Sequence, residues 1–208
     1  AFCIGLSVTG SLHAVEGPEK VATVEGVTEY KYPNGARVLL FPDGSQPTIT
    51  VNMTVLVGSR HEGYGEAGMA HLLEHMLFKG TPSHLKPPEE LMNRGADFNG
   101  TTWLDRTNYY ETLPANQLPL ALWLESDRMR SLAVTQENLD NQREAVKEEK
   151  RLRYDNQPYG QIFDLINEMI YKNFANSHST IGSMDHLDAA TVEDVQEFFR
   201  IYYAPNNA

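Results

Sequence analysis

The feature that most constrains this chain is a change of hydrophobic period. TITVNMTVLVGS, residues 48–59, alternates apolar and polar residues at period two, the pattern of a half-buried strand. A glycine-rich link, EGYGEAG, then leads into GMAHLLEHMLFKG, where apolar residues recur at helical spacing until Gly80. Upstream, VTEYKYPNGARVLLFPD reads as a hairpin about Asn34-Gly35, a dipeptide suited to a type I′ turn. Downstream, PPEELMNRG predicts a short helix closed by Gly95, and ADFNGTTWL and TNYYETLP predict two strands about a turn at Asp105-Arg106. From Asn116 onward the chain reads as several helices, NQLPLALWLESDRMRSL, TQENLDNQREAVKEEKRLRYD, QIFDLINEMIYKNF and TVEDVQEFFRIYY. Thr135 and Thr191 are placed to cap two of these helices, and Ile162, Leu165, Ile166, Met169 and Ile170 form one stripe. Strands, a helix, strands and then several helices predict an α+β fold, a largely antiparallel sheet with helices packed on one face.

The His71 helix carries chemistry as well as packing. At about 100° per residue, with His71 at zero, His75 lies near ~40° and Glu74 near ~-60°. Met69, Leu72, Leu73, Met76 and Leu77 fall on the opposite side, between about 100° and about 240°. Phe78 falls on the polar front, where it either walls a site or marks the helix end. Imidazoles at i and i+4 converge on one metal ion, and Glu74, offset from both, is placed to reach a water instead. The plainer alternative is a surface helix with two ordinary histidines. The apolar back facing a front of only metal-binding or proton-transferring groups argues against it.

A catalytic zinc needs a third protein ligand. Cys3 is the only cysteine, so the ligand must be histidine or carboxylate. In NQREAVKEEKRLR the candidates are Glu144, Glu148 and Glu149. The apolar face of that helix, set by Leu139, Ala145, Val146 and Leu152, centres near ~280° with Leu139 at zero. Glu149 falls on that face, whereas Glu148 and Glu144 point away. A carboxylate facing inward needs a positive partner, which zinc or an arginine would supply. Gln142, on the same face two turns earlier, is placed to orient the ligands through a hydrogen bond.

The formal net charge of -11 argues against a nucleic-acid partner. The opening AFCIGLSV, followed by SLHA, resembles the end of a secretory signal peptide cleaved near Ala14, which predicts an extracytoplasmic protein. It is too short to span a membrane. The expected organisation is a signal remnant over residues 1–14, a lead-in over 15–28 and a zinc-binding domain over 29–208, incomplete at its C-terminal end.

These residues together resemble the M16 zinc peptidases, the family of pitrilysin, insulin-degrading enzyme and the mitochondrial processing peptidase, and most closely its bacterial processing-peptidase-like branch. The resemblance is carried by GMAHLLEHMLFKGT, FNGTTWLDRTNYYETLP, RYDNQPYG and FFRIYYAPNNA, and it runs from about Glu29 onward. HLLEH fits the H-x-x-E-H pattern of inverzincins. The resemblance implies one Zn²⁺ held by His71, His75 and Glu149, with Glu74 as general base. It implies hydrolysis of an extended peptide or unfolded polypeptide segment that adds to a sheet edge at Asn99 and Gly100. A strand with a bulge at Asn99-Gly100 and no ligand is the other reading of that segment. Many members carry a glutamate where this chain has Gln142. The family also implies further M16 domains, in the same chain or a partner subunit, that complete a chamber and supply an arginine-tyrosine pair. A non-catalytic M16-like binding or assembly subunit is the alternative, and a purely structural metal site a weaker one.

Overall fold

The computed structural model describes residues 17–84 and 86–208. The signal-like run and Cys3 lie outside the described residues. The chain forms two compact units that divide between Pro42 and Asp43.

In the first unit three strands, β1 (Glu19–Val24), β2 (Val27–Lys31) and β3 (Arg37–Leu40), pair antiparallel in that order. β1 lies in what the sequence offered only as a lead-in. The hairpin about Asn34-Gly35 forms as expected, β2 and β3 pairing from Thr28 opposite Leu40 to Lys31 opposite Arg37, but its connection is not a two-residue type I′ turn. A two-residue turn is at Glu25-Gly26, where both residues have positive φ (+50° and +87°) between the paired Val24 and Val27. That is the type I′ requirement. At the second connection only Gly35 has positive φ, +92°. Gly35 N–H donates to Tyr32 O at 2.9 Å, and Tyr32 N–H to Ala36 O at 2.9 Å. Pro33 accounts for the difference: its ring fixes a negative φ and favours a type I turn, after which Gly35 takes the left-handed position of a longer loop.

The second unit holds β4 (Thr48–Val55), β5 (Asp97–Thr102) and β6 (Thr107–Pro114), an antiparallel sheet in the order β4-β6-β5. β5 is therefore an edge strand. Thr107, Tyr109, Glu111 and Leu113 alternate inward along β6. The helices are α1 (Met69–Leu77), α2 (Pro87–Asn93), α3 (Leu118–Arg130), α4 (Gln136–Lys150), α5 (Ile162–Ile170), α6 (Phe174–Ser177), α7 (Met184–Ala189) and α8 (Val192–Tyr202). The core joins Val55 and Tyr109 of the sheet to Leu72, Leu73 and Met76 of α1, Leu139 and Val146 of α4, and Val195 and Phe198 of α8. Thr135 and Thr191 cap α4 and α8 through their side-chain oxygens, as expected. No helix among the described residues is long and apolar enough to cross a membrane.

One packing expectation is corrected. Ala145 and Leu152 do not belong to the buried face of α4, which consists of Leu139, Gln142 and Val146. Leu152 lies in a wider π-type turn, Arg151–Asp155, which rotates it away from the core. The stripe of α5 exists but is open: Ile162, Leu165, Ile166, Met169 and Ile170 are all exposed, as is Phe163.

Beneath the sheet lies a polar group that the apolar pattern does not announce. Glu111, Glu125 and Arg128 are all buried, with Arg128 Nη2 2.5 Å from Glu125 Oε1. The Arg128 guanidinium also rests on the Phe78 and Tyr109 rings, at 5.8 and 5.1 Å. Burial first, and then the adjacent negative charge of Glu125, push the Glu111 carboxyl up to about 9. Glu111 is thus protonated in the folded protein at neutral pH and ionised in the unfolded chain. The folded state holds the extra proton between about pH 4.5 and 9, so this group costs stability progressively as pH rises through that range. Glu111→Gln should flatten the alkaline fall in Tm between pH 7 and pH 9, read by calorimetry at each pH.

Candidate metal centre

α1 begins without a capping side chain on its own N-cap residue, Gly68, which sits at φ +100°. The cap comes from Glu62, whose carboxylate accepts from Gly68 N–H at 3.0 Å and Ala70 N–H at 2.8 Å. An anion there meets both unpaired donors and the positive end of the helix dipole. Glu62 is itself held by His178 Nε2 at 2.8 Å, and His178 Nδ1 bonds Phe174 O at 2.7 Å. Burial raises the Glu62 carboxyl, a shift that the His178 bond and the two amides oppose. The loop before α7 packs closely here: a Cβ on Gly182 would lie 2.4 Å from both Ala67 O and Gly68 Cα. The sequence reading passed over Glu62 and His178. Their signal was faint: an acid a few residues before a helix that lacks a capping residue of its own.

The helix then presents the two faces its sequence predicts. Met69, Leu72, Leu73, Met76 and Leu77 are buried. His71 and Glu74 are also buried but on the other side, with His75 half-buried beside them. Phe78 is the C-cap residue, packed near Phe98 and Tyr109, so it marks the helix end.

α4 delivers Glu149 to this front. Its Oε2 is 3.4 Å from His75 Nε2 and 3.7 Å from His71 Nε2. One ligand atom from each of His71, His75 and Glu149 lies within 4.8 Å of the other two. Donors bound tetrahedrally at zinc distances stand about 3.4 Å apart, so the donor set fits such an ion with little movement. Glu144 and Glu148 face solvent and pair with Lys147 and Arg151. The arginine alternative for Glu149 is realised on its other oxygen: Arg153 Nη1 meets Oε1 at 2.7 Å. One carboxylate oxygen is thus tied to a surface arginine while the other faces the imidazoles.

Electrostatics suit a cation. Burial first, and then the neighbouring His75, lower His71 to about 4, so its imidazole is neutral and available as a donor at physiological pH. The hydrogen bond from His75 holds Glu149 below the usual carboxylate range despite partial burial. His71 Nδ1 is buried and has no hydrogen-bond partner among the described residues. Gln142 lies on the buried face as expected, but its Nε2 donates to Asn141 Oδ1 at 2.6 Å rather than to an imidazole.

Glu74 stands apart from the ligand group. Burial raises its carboxyl, and the Thr102 hydroxyl, which donates to Oε2, opposes that shift. Gly100 of β5 lies against it: a Cβ there would be 2.9 Å from Glu74 Oε1. Asn99 is exposed, and its Oδ1 accepts from Gly100 N–H at 2.8 Å. Thr102 was not among the residues singled out from the sequence.

A sheet edge beside a helix bearing His71, Glu74 and His75, with Glu149 opposite, is the arrangement of a metallopeptidase-type domain. Residues 37–183 match the family described as insulinase, peptidase family M16, and the chain belongs to that family. It is 34% identical over 179 residues, 84% of this chain and 40% of the relative, to the zinc protease PqqE of Helicobacter pylori. It is 28% identical over 172 residues to the mitochondrial-processing peptidase subunit beta of Bos taurus, across 82% of this chain and 35% of that one. Among solved structures, a protease from Helicobacter pylori superposes with a TM-score of 0.82 at 31% identity, over 87% of this chain and 44% of that chain. The periplasmic protease PqqL of Escherichia coli shares the fold with a TM-score of 0.81 at 24% identity, over 91% of this chain and 22% of that chain. The chain therefore spans between about a third and two fifths of the length of the curated relatives it matches.

The Glu62–His178 clamp predicts a measurable loss. Glu62→Ala leaves two helix amides and His178 without their partner and should cost about 3 kcal/mol by denaturant unfolding, as removal of one member of a buried pair does.

Proposed function

We propose that this chain is the catalytic domain of a zinc-dependent endopeptidase acting on extended peptides or unfolded polypeptide segments. The observation that carries the reading is the approach of Glu149 Oε2 to both His71 and His75. In this reading His71, His75 and Glu149 hold one Zn²⁺ per chain. A zinc ion there supplies Lewis acidity, lowering the pKa of water and polarising a peptide carbonyl. Glu74 takes the proton of the attacking water and later returns it to the leaving amine; its burial, which favours the protonated form, suits a group that must hold and then release a proton. The neutral His71 and the ionised Glu149 are in the protonation states that ligation needs.

The β5 edge receives the peptide backbone in this reading, at Asn99 and Gly100. An incoming carbonyl would replace Asn99 Oδ1 on Gly100 N–H. Pairing through main-chain groups fits a broad choice of sequences. Gln142 acts on the packing of α4 rather than by bonding a ligand. An extracytoplasmic location is supported by the signal-like residues 1–14 and by the likeness in fold to a periplasmic protease of E. coli.

The chain works together with at least one further domain, in its own polypeptide or in a partner. Relatives more than twice its matched length support this, as does the open apolar face of α5, which a monomeric surface rarely carries. The competing reading, a non-catalytic binding or assembly subunit, is disfavoured by the intact ligand set.

Three outcomes test the proposal. Dialysed protein should retain about one zinc per chain by elemental analysis, and His71→Ala or Glu149→Ala should lose it. Glu74→Gln should keep the metal and lose peptide turnover by at least about 100-fold; undiminished hydrolysis would refute the base assignment. The 208-residue chain alone should be nearly inactive on peptides even when it holds zinc, and robust activity would refute the need for a further domain.

A further inference from the structure

We propose that β5, besides offering a free edge, sets the orientation of Glu74: Thr102 pins one carboxylate oxygen and Gly100 makes the space for the other. The inference rests on the reading of Glu74 as the base and adds a positioning residue, Thr102, to it. Period-two alternation turns Phe98, Gly100 and Thr102 to the sheet face on which α1 packs, while Asp97, Asn99 and Thr101 are exposed.

The Glu74 side chain has three torsions to fix and a buried carboxylate to satisfy. Its Oε2 accepts from the Thr102 hydroxyl. Its Oε1, Cγ and Cδ all lie over Gly100, where a Cβ would come within 2.9, 3.0 and 3.2 Å of them. At those separations a side chain at position 100 would crowd the carboxylate arm, which would have to give by a few tenths of an ångström. Thr102 is in turn fixed by its place in the hairpin, opposite Thr107 in the last pair before the turn. Thr107 is anchored by donating to Val57 O at 2.9 Å. The orientation of Glu74 is thus transmitted from the sheet, not from α1, whose backbone holds only its Cα.

The consequence is a coupling between substrate register and proton transfer. A peptide pairing with the β5 edge lies along the same strand whose inner face holds the carboxylate. One strand then determines both where the scissile bond lies and where the base points. Displacing a reacting group by about 1 Å costs on the order of 100-fold in rate, so an unpinned Glu74 should be a poor base though still present.

The test compares Thr102→Val, which keeps the shape and removes the donor, with Thr102→Ser, which keeps the donor, both in the full-length protein with its further domain. Thr102→Val should lower kcat by about 10- to 100-fold. KM, Tm and zinc affinity, the last by chelator competition, should stay near the parent values. Thr102→Ser should restore most of kcat. In a Glu74→Gln background, Thr102→Val should change neither zinc affinity nor affinity for an uncleaved peptide. Parent-like kcat in Thr102→Val, while Glu74→Gln is inactive, would overturn this inference alone. Loss of zinc or of Tm in step with kcat would assign Thr102 a merely structural role and overturn it too. Parent-like turnover in Glu74→Gln would remove the base reading and this inference with it.

Discussion

Everything distinctive in this domain depends on a carboxylate from one helix meeting two imidazoles from another. Glu149 reaches inward on α4 beside His71 and His75 of α1, and Arg153 neutralises only its outer oxygen. Three such groups converging at a partly buried spot suit a shared cation. The same convergence ties α1 to α4, so the helix packing and the candidate chemistry are one constraint. The apolar contacts of Leu72, Leu73, Leu139 and Val146 press the helices together, and the polar residues determine what that pressure assembles.

Holding such a site requires support from beyond the two helices. Glu62 and His178 secure the start of α1, with the loop before α7 packed against the glycine there. β5 secures the carboxylate arm of Glu74 from the other side. The supports come from segments far apart in the chain, which is why a short motif can bear the reactive groups while a whole domain is needed to aim them. The buried Glu111–Glu125–Arg128 group sits behind this arrangement, under Phe78 and Tyr109. It links α3 to the sheet, with Glu111 taking up a proton in place of a second charge.

Much of this was legible from residue spacing. The helical period put His71, Glu74 and His75 on one arc and the leucines on the other, because the angle per residue is a local property of the backbone. The same arithmetic selected Glu149 over Glu144 and Glu148. It erred at Ala145 and Leu152, since a wheel shows which residues share a side of α4 but not how wide a strip its neighbours cover, nor that the helix widens after Lys150. The hairpin about Asn34-Gly35 formed, but its turn type differed for a local reason: Pro33 overrode the Asn-Gly preference, and a two-residue turn with both φ positive occurs instead in the preceding hairpin, at the less suggestive Glu25-Gly26. α5 kept its predicted stripe, but amphipathicity says only that a face seeks a partner, not that one is supplied by the described residues.

By itself the sequence determined the elements, their faces and the identity of the groups that converge, because periodicity and residue chemistry act within a few residues of one another. Only the tertiary structure decided that Thr102 reaches Glu74, that Gly100 lies against the same carboxylate, and that Glu62, held by His178, caps α1. These contacts join residues 28 and 116 positions apart in the cases of Thr102 and His178. No spacing rule spans such separations. Which strand or loop passes beside a given side chain is settled by how the whole core closes.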